Sequence, residues 1–182
     1  APGQWFRYQL RVTLSGGDAG VDIINGSGGN FSFLNTDIIN PNGVAFLVNG
    51  GGGSIGHSGT LTKNSSGKLI DIQSRTGGSV TFNDPLTSTS PSTGITVSNN
   101  TGGTVTFGGN AKTLSTGTNT AITIASNSNT TVNFTNGGLD IDVTSGTGFS
   151  ATSNSGTGII SVQGSGNTIN STTGTALNLS LI

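Results

Sequence analysis

Two carboxylates stand two residues apart in the stretch "GGLDIDVTSG": Asp140 and Asp142. In an extended strand, alternation turns Leu139, Ile141 and Val143 to one side and both carboxylates to the other, about 7 Å apart. Such a pair could hold Ca²⁺ among oxygen ligands, or act as acid and base across a sugar linkage. Removing a sugar proton would need a base as well, and Lys112 is the one cation nearby in sequence. The simpler reading is two solvated carboxylates on an exposed strand, with a metal or glycan contact as the sharper alternative. His57 is the single histidine. No Ser or Asp stands at a spacing that suggests a catalytic partner for it, so a ring buried among other rings is expected.

The glycine clusters "NGSGGN", "NGGGGS", "RTGGS" and "NNTGGT" could cradle a phosphate or turn a chain. None carries the Lys-Ser/Thr of a phosphate-binding loop, and none is followed by a helical pattern that would aim an N-terminus at a ligand. Turn glycines are the better account.

The clusters recur, and the recurrence sets the fold. Phe31, Ile55, Val80, Val105, Val132 and Ile160 follow one another at steps of 24, 25, 25, 27 and 28 residues. Ile23, Val48, Ile72, Val97, Ile124, Ala151 and Leu179 form a second ladder with steps of 25, 24, 25, 27, 27 and 28. A weaker third series is Ile38, Leu61, Leu86, Leu114, Ile141 and Ile169. Each unit therefore holds three short strands separated by Gly, Asn, Ser and Thr, without helical periodicity. This predicts an all-β chain: a three-sided parallel β-solenoid of about seven coils, roughly 33 Å long at ~4.8 Å per coil. The crossover preference makes the expected hand right-handed.

Composition agrees. The 182 residues include 32 Gly, and all seven acidic residues are Asp, so strong helix formers are scarce. A net charge of −1 argues against a nucleic-acid partner. No apolar run approaches a membrane span, and cysteine is absent.

Stacking the coils puts Thr113, Ser115, Thr168 and Asn170 near Asp140 and Asp142, and predicts one inward file of Phe33, His57, Phe82, Phe107, Phe134 and Val162. It also predicts two outward files. One holds Ser32, Gly56, Thr81, Thr106, Asn133 and Ser161, the other Asp22, Leu47, Asp71, Thr96, Thr123, Ser150 and Asn178. Paired threonines (Thr81 and Thr106, Thr96 and Thr123) make these faces candidate binding surfaces, and raise ice binding as a further alternative.

Residues 1–28 are expected to form the first coil and a partial cap, because "QWFRYQLRVTL" alternates apolar and polar residues and puts charge on an edge strand. Residues 29–182 are expected to form one solenoid. The chain opens "APGQWF", without initiator Met or signal pattern, as a mature product or excised fragment would. It closes on "TALNLSLI" inside a strand, so either the chain continues or that edge pairs end to end with another molecule.

The stretch from residue 77 to 180, and the phrases "GGLDIDVTSGTGF" and "GNTINSTTGTALN" above all, resembles the β-strand-repeat segments of very large exported bacterial proteins. Those segments are read as right-handed parallel β-helices of the pectate-lyase-like superfamily. The resemblance implies an adhesin-like protein that is extracellular or on the cell surface, with glycans or other surface proteins as partners. It brings no cofactor and no catalytic residues. The expected function is a non-catalytic structural or adhesive rod. A carbohydrate-binding or polysaccharide-degrading β-helix is the first alternative and an ice-binding solenoid the second.

Overall fold

The computed structural model describes residues 20–26 and 28–181, and the expected cap falls mostly outside them. Nineteen short strands build three parallel sheets. The first sheet stacks β1 (Val21–Ile24), β4 (Phe46–Asn49), β7 (Lys68–Gln73), β10 (Thr93–Ser98), β13 (Ile122–Ala125), β16 (Phe149–Thr152) and β19 (Leu177–Ser180). The second stacks β2 (Asn30–Phe33), β5 (Ser54–His57), β8 (Ser79–Phe82), β11 (Thr104–Phe107), β14 (Thr131–Phe134) and β17 (Ile160–Val162). The third stacks β3 (Ile38–Ile39), β6 (Leu61–Lys63), β9 (Leu86–Thr89), β12 (Lys112–Gly117), β15 (Leu139–Val143) and β18 (Thr168–Ser171). The described chain is a β-solenoid of six turns rather than seven. Counted from β1, the turns are β1–β3 through β16–β18, and β19 is the one described strand of the next.

Two of the sequence ladders are the registers of two sheets. Val105 lies between Val80 and Val132, and Val97 lies between Ile72 and Ile124. The third ladder is right at its ends and wrong in its middle. Lys112, not Leu114, stands opposite Leu86, and Leu114 stands opposite Ser88. The apolar series misses this because two of the inward positions there carry Lys112 and Ser88, both fully buried. A bulge follows at Ser115/Gly117 before β15 resumes the register.

The inward aromatic file is real, and it is wider than one sheet. Phe107 stacks on Phe82 at 5.6 Å and on Phe134 at 4.7 Å between ring centroids. Phe46, from the first sheet, inserts edge-on against Phe33, His57 and Phe82 at 5.1–5.7 Å. Phe149 meets Phe134 in the same way at 5.8 Å. Each such pair adds about 0.5–1.5 kcal/mol beyond area burial.

The corners explain the glycine clusters. Gly103 has φ +91° and packs on the coil before it so closely that a Cβ would lie 2.8 Å from both the Gly77 and Gly78 carbonyl oxygens. Left-handed backbone and contact with the previous coil's peptide oxygens both demand glycine there.

Phe107 is fully buried between two stacked rings. Phe107→Ala should therefore cost about 3–5 kcal/mol in denaturant melts. A loss below about 1 kcal/mol would contradict a packed file at this position.

Candidate functional site

Alternation in β15 buries Leu139, Ile141 and Val143 and turns the two carboxylates outward, Asp140 half-buried and Asp142 exposed. The neighbouring coils supply the partners expected from the spacing. Thr113 and Thr168 flank Asp140, while Ser115 and Asn170 flank Asp142. The Thr168 hydroxyl donates to Asp140 Oδ1 at 2.5 Å, and Asn170 Nδ2 donates to Asp142 Oδ1 at 2.9 Å. Both carboxylates are thus steadied along the rod axis by the coil that follows.

Next to Asp142 the β12 bulge opens a depression of about 600 Å³, lined by Ser115, Gly117, Asp142, Thr144, Asn170 and Ser171 among others. Ser171 Oγ is buried and has no hydrogen-bond partner. Carboxylate, hydroxyl and amide groups of this kind can meet the hydroxyls of a polyol. Among the described residues no three His, Cys, Asp or Glu side chains come together as a metal site.

Lys112 does not join this face. The true register turns it inward and buries it completely. Its ammonium donates to the carbonyl oxygens of Gly109, of Thr135 at 3.0 Å and of Gly137 at 2.8 Å. Burial pushes its pKa below the usual lysine range. It serves as a tie between coils and is turned away from any substrate at Asp140 and Asp142.

The same device appears twice more, and neither case was expected from sequence. Lys63 is fully buried and donates to the Pro41 carbonyl and the Ser65 hydroxyl, both at 2.5 Å, and to the Asn42 carbonyl at 3.3 Å. Arg75 donates to the carbonyls of Gly50 (3.2 Å), Gly53 and Gly77 (2.9 Å). Burial lowers both pKa values. Lys68, the remaining cation among the described residues, is partly exposed and pairs with Asp71 at 2.8 Å.

Arg75 also starts an amide ladder. Its backbone N–H donates to Asn100 Oδ1 at 2.8 Å. Asn100 Nδ2 donates to Asn127 Oδ1, and Asn127 Nδ2 to Asn154 Oδ1, each at 2.8 Å. The signal was present in the sequence as Asn at 27-residue steps, but it is lost among so many other asparagines.

The threonine files keep their predicted registers, with Thr81 beside Thr106 and Thr96 beside Thr123. Their exposure is uneven. Thr81, Thr106 and Thr123 are half-buried, but Thr96 is only 8% exposed. It sits between Asp71 and Thr123 and presents little to a ligand. His57 is in its predicted file and 1% exposed, as a ring among rings.

No protein-family model, curated protein or solved structure matches the chain. Among the described residues no helix is long and apolar enough to cross a membrane.

The Asn100–Asn127–Asn154 ladder gives a direct test of corner chemistry. Asn127→Ala removes the acceptor of Asn100 and the donor to Val97 O, where Asn127 Nδ2 bonds at 3.0 Å. The expected loss is about 1–3 kcal/mol for each buried group left unpaired. An unfolding curve matching that of the parent would show that the ladder adds nothing.

Proposed function

We propose that the chain is a non-catalytic structural or adhesive segment, a β-helical rod that displays polar faces as part of an exported, cell-surface or extracellular protein of the adhesin-like, β-strand-repeat kind. The observation that carries this reading is the use made of cations. Three of the four among the described residues are buried as ties between coils, and the fourth is paired. The described basic side chains are thus committed to contacts within the rod. The outward files are mainly short hydroxyl, amide and carboxylate groups.

End-to-end self-association belongs to this proposal. Support comes from the last three strands, β17–β19, and the residue before them, where Ile159, Val162, Leu177 and Leu179 are 44–62% exposed. Val162, Leu177 and Leu179 border an apolar hollow of about 350 Å³ that also touches Phe149 and Ile160. In sedimentation velocity the chain should show association that grows with concentration, and Leu179→Lys should shift it to monomer with unchanged circular dichroism. A parent that stays monomeric at high concentration would remove this part of the proposal.

The second reading is a carbohydrate-contacting β-helix, favoured by the ordered Asp140 and Asp142 pair and the depression beside Asp142. A glycan panel decides between them, with binding and cleavage scored for the parent and the Asp140→Asn/Asp142→Asn double variant. The rod reading expects no cleavage and at most weak binding that the double variant keeps. An activity of the parent that the double variant loses would put the carbohydrate reading first.

A further inference from the structure

His57 is a buried titratable ring that none of the outward faces uses. It lies in β5, 1% exposed, with the Phe46 ring at 5.3 Å, the Phe82 ring at 5.8 Å, and Phe33 as its register partner. Its Nε2 is 2.9 Å from the Thr36 carbonyl oxygen. A carbonyl only accepts, so Nε2 carries the hydrogen and Nδ1 is the bare nitrogen. Nδ1 is buried and has no partner.

The neutral ring suits this pocket because its single donor is satisfied. An imidazolium does not, because Nδ1–H would have no acceptor and a charge would sit among phenyl rings. The charged groups facing it are Asp84 and Asp37. Asp84 Oδ2 already accepts from the Gly59 amide at 2.6 Å, and Asp37 Oδ1 from the Thr60 amide at 2.8 Å. Phe33, Phe46 and Phe82 add no charge. Burial holds the imidazole below its usual range, outweighing the smaller upward pull of the Thr36 bond and of Asp84 and Asp37.

A protonated His57 needs water, and the two neighbouring coils differ in how firmly they are held. The coil of β7–β9 is clamped to His57's own coil by Arg75 on Gly50 and Gly53, and by Asp84 on Gly59. On the other side Lys63 holds the Pro41 and Asn42 carbonyls and the Thr60 amide holds Asp37, but the apolar packing is thinner: β3 has two residues, Phe33 is only partly buried, and Phe31 is 37% exposed. In a stacked repeat each coil is held by its nearest neighbours, so the weaker interface opens first.

We propose that acid releases the β1–β3 coil from the β4–β6 coil, with His57 as the trigger and the uncovered β4, β5 and β6 edges as the surface gained. The closed state is fully favoured above about pH 6.5, the value of a solvated histidine. Below it the open state takes up a proton that the closed state refuses, so the opening constant rises by up to about tenfold per pH unit. The rise stops once pH falls below the lowered pKa of the closed state.

Hydrogen exchange by mass spectrometry tests this on the whole chain at pH 7.5 and 5.0, corrected for intrinsic exchange. In the parent, protection of β1–β3 should fall by up to about thirtyfold at pH 5.0 while β10–β16 keep theirs. His57→Phe, which fills the ring file, and His57→Gln, which keeps a donor for Thr36, should both lose that fall. Should neither variant fold, NMR titration of the parent's His57 ring decides, since its protonation must coincide with the loss of β1–β3 protection. Protection of β1–β3 that ignores pH, falls equally in the variants, or is lost by all coils together would overturn the proposal.

Discussion

The hydrogen bonds between strands in this molecule run from one coil to the next. Every strand pairing is parallel and joins residues roughly one repeat apart, such as Val21 with Phe46 or Phe149 with Leu177. A coil therefore has little internal hydrogen bonding to stand on, and exists because its neighbours complete it. Everything else follows from that dependence. An inward residue must suit the residue stacked above and below it, which is why valine repeats over valine and phenylalanine over phenylalanine. Corners must let peptide planes come into contact, which is why glycine lies over glycine at 78 and 103.

Stacking leaves a difficulty where the chain leaves each sheet, because corner carbonyls and amides point into the rod without a strand to receive them. The protein meets it with polar side chains directed inward. The asparagine ladder bonds amide to amide, and Lys63, Arg75 and Lys112 each donate to two or more backbone carbonyls. A buried cation is costly unless its donors are used. Here they are, and the cation works as a multi-pronged donor spanning two coils. With these three cations placed in this way, the described outer surface is mainly of small polar groups, to which Asp140 and Asp142 add the most distinct chemistry.

His57 is the exception within the same scheme. It occupies a phenylalanine position in a file otherwise insensitive to pH, and only one of its two nitrogens is satisfied. The stacking that makes interior coils strong also lets a single ring, ill-suited once protonated, weaken one interface without disturbing the coils beyond it.

Residue types and spacing suffice for the parallel solenoid, three strands per turn, and the registers of two sheets, because Val, Ile and Phe recur there at nearly constant steps and alternate within each strand. It also placed Asp140 and Asp142 outward beside Thr113, Ser115, Thr168 and Asn170, since alternation and stacking alone decide that. Stacking in three dimensions settles the positions that a residue's type disguises. Lys112 and Ser88 are inward despite being polar, so the third register slips by two residues in the apolar reading. Phe46 reaches the aromatic file from another sheet, which no step length reveals. Thr96 is outward in register yet buried in fact, because exposure depends on what surrounds a position as well as on the face it occupies. Periodicity records which residues repeat. Whether a lysine is a surface charge or a buried tie depends on the carbonyls around it, and those come together only when the coils stack.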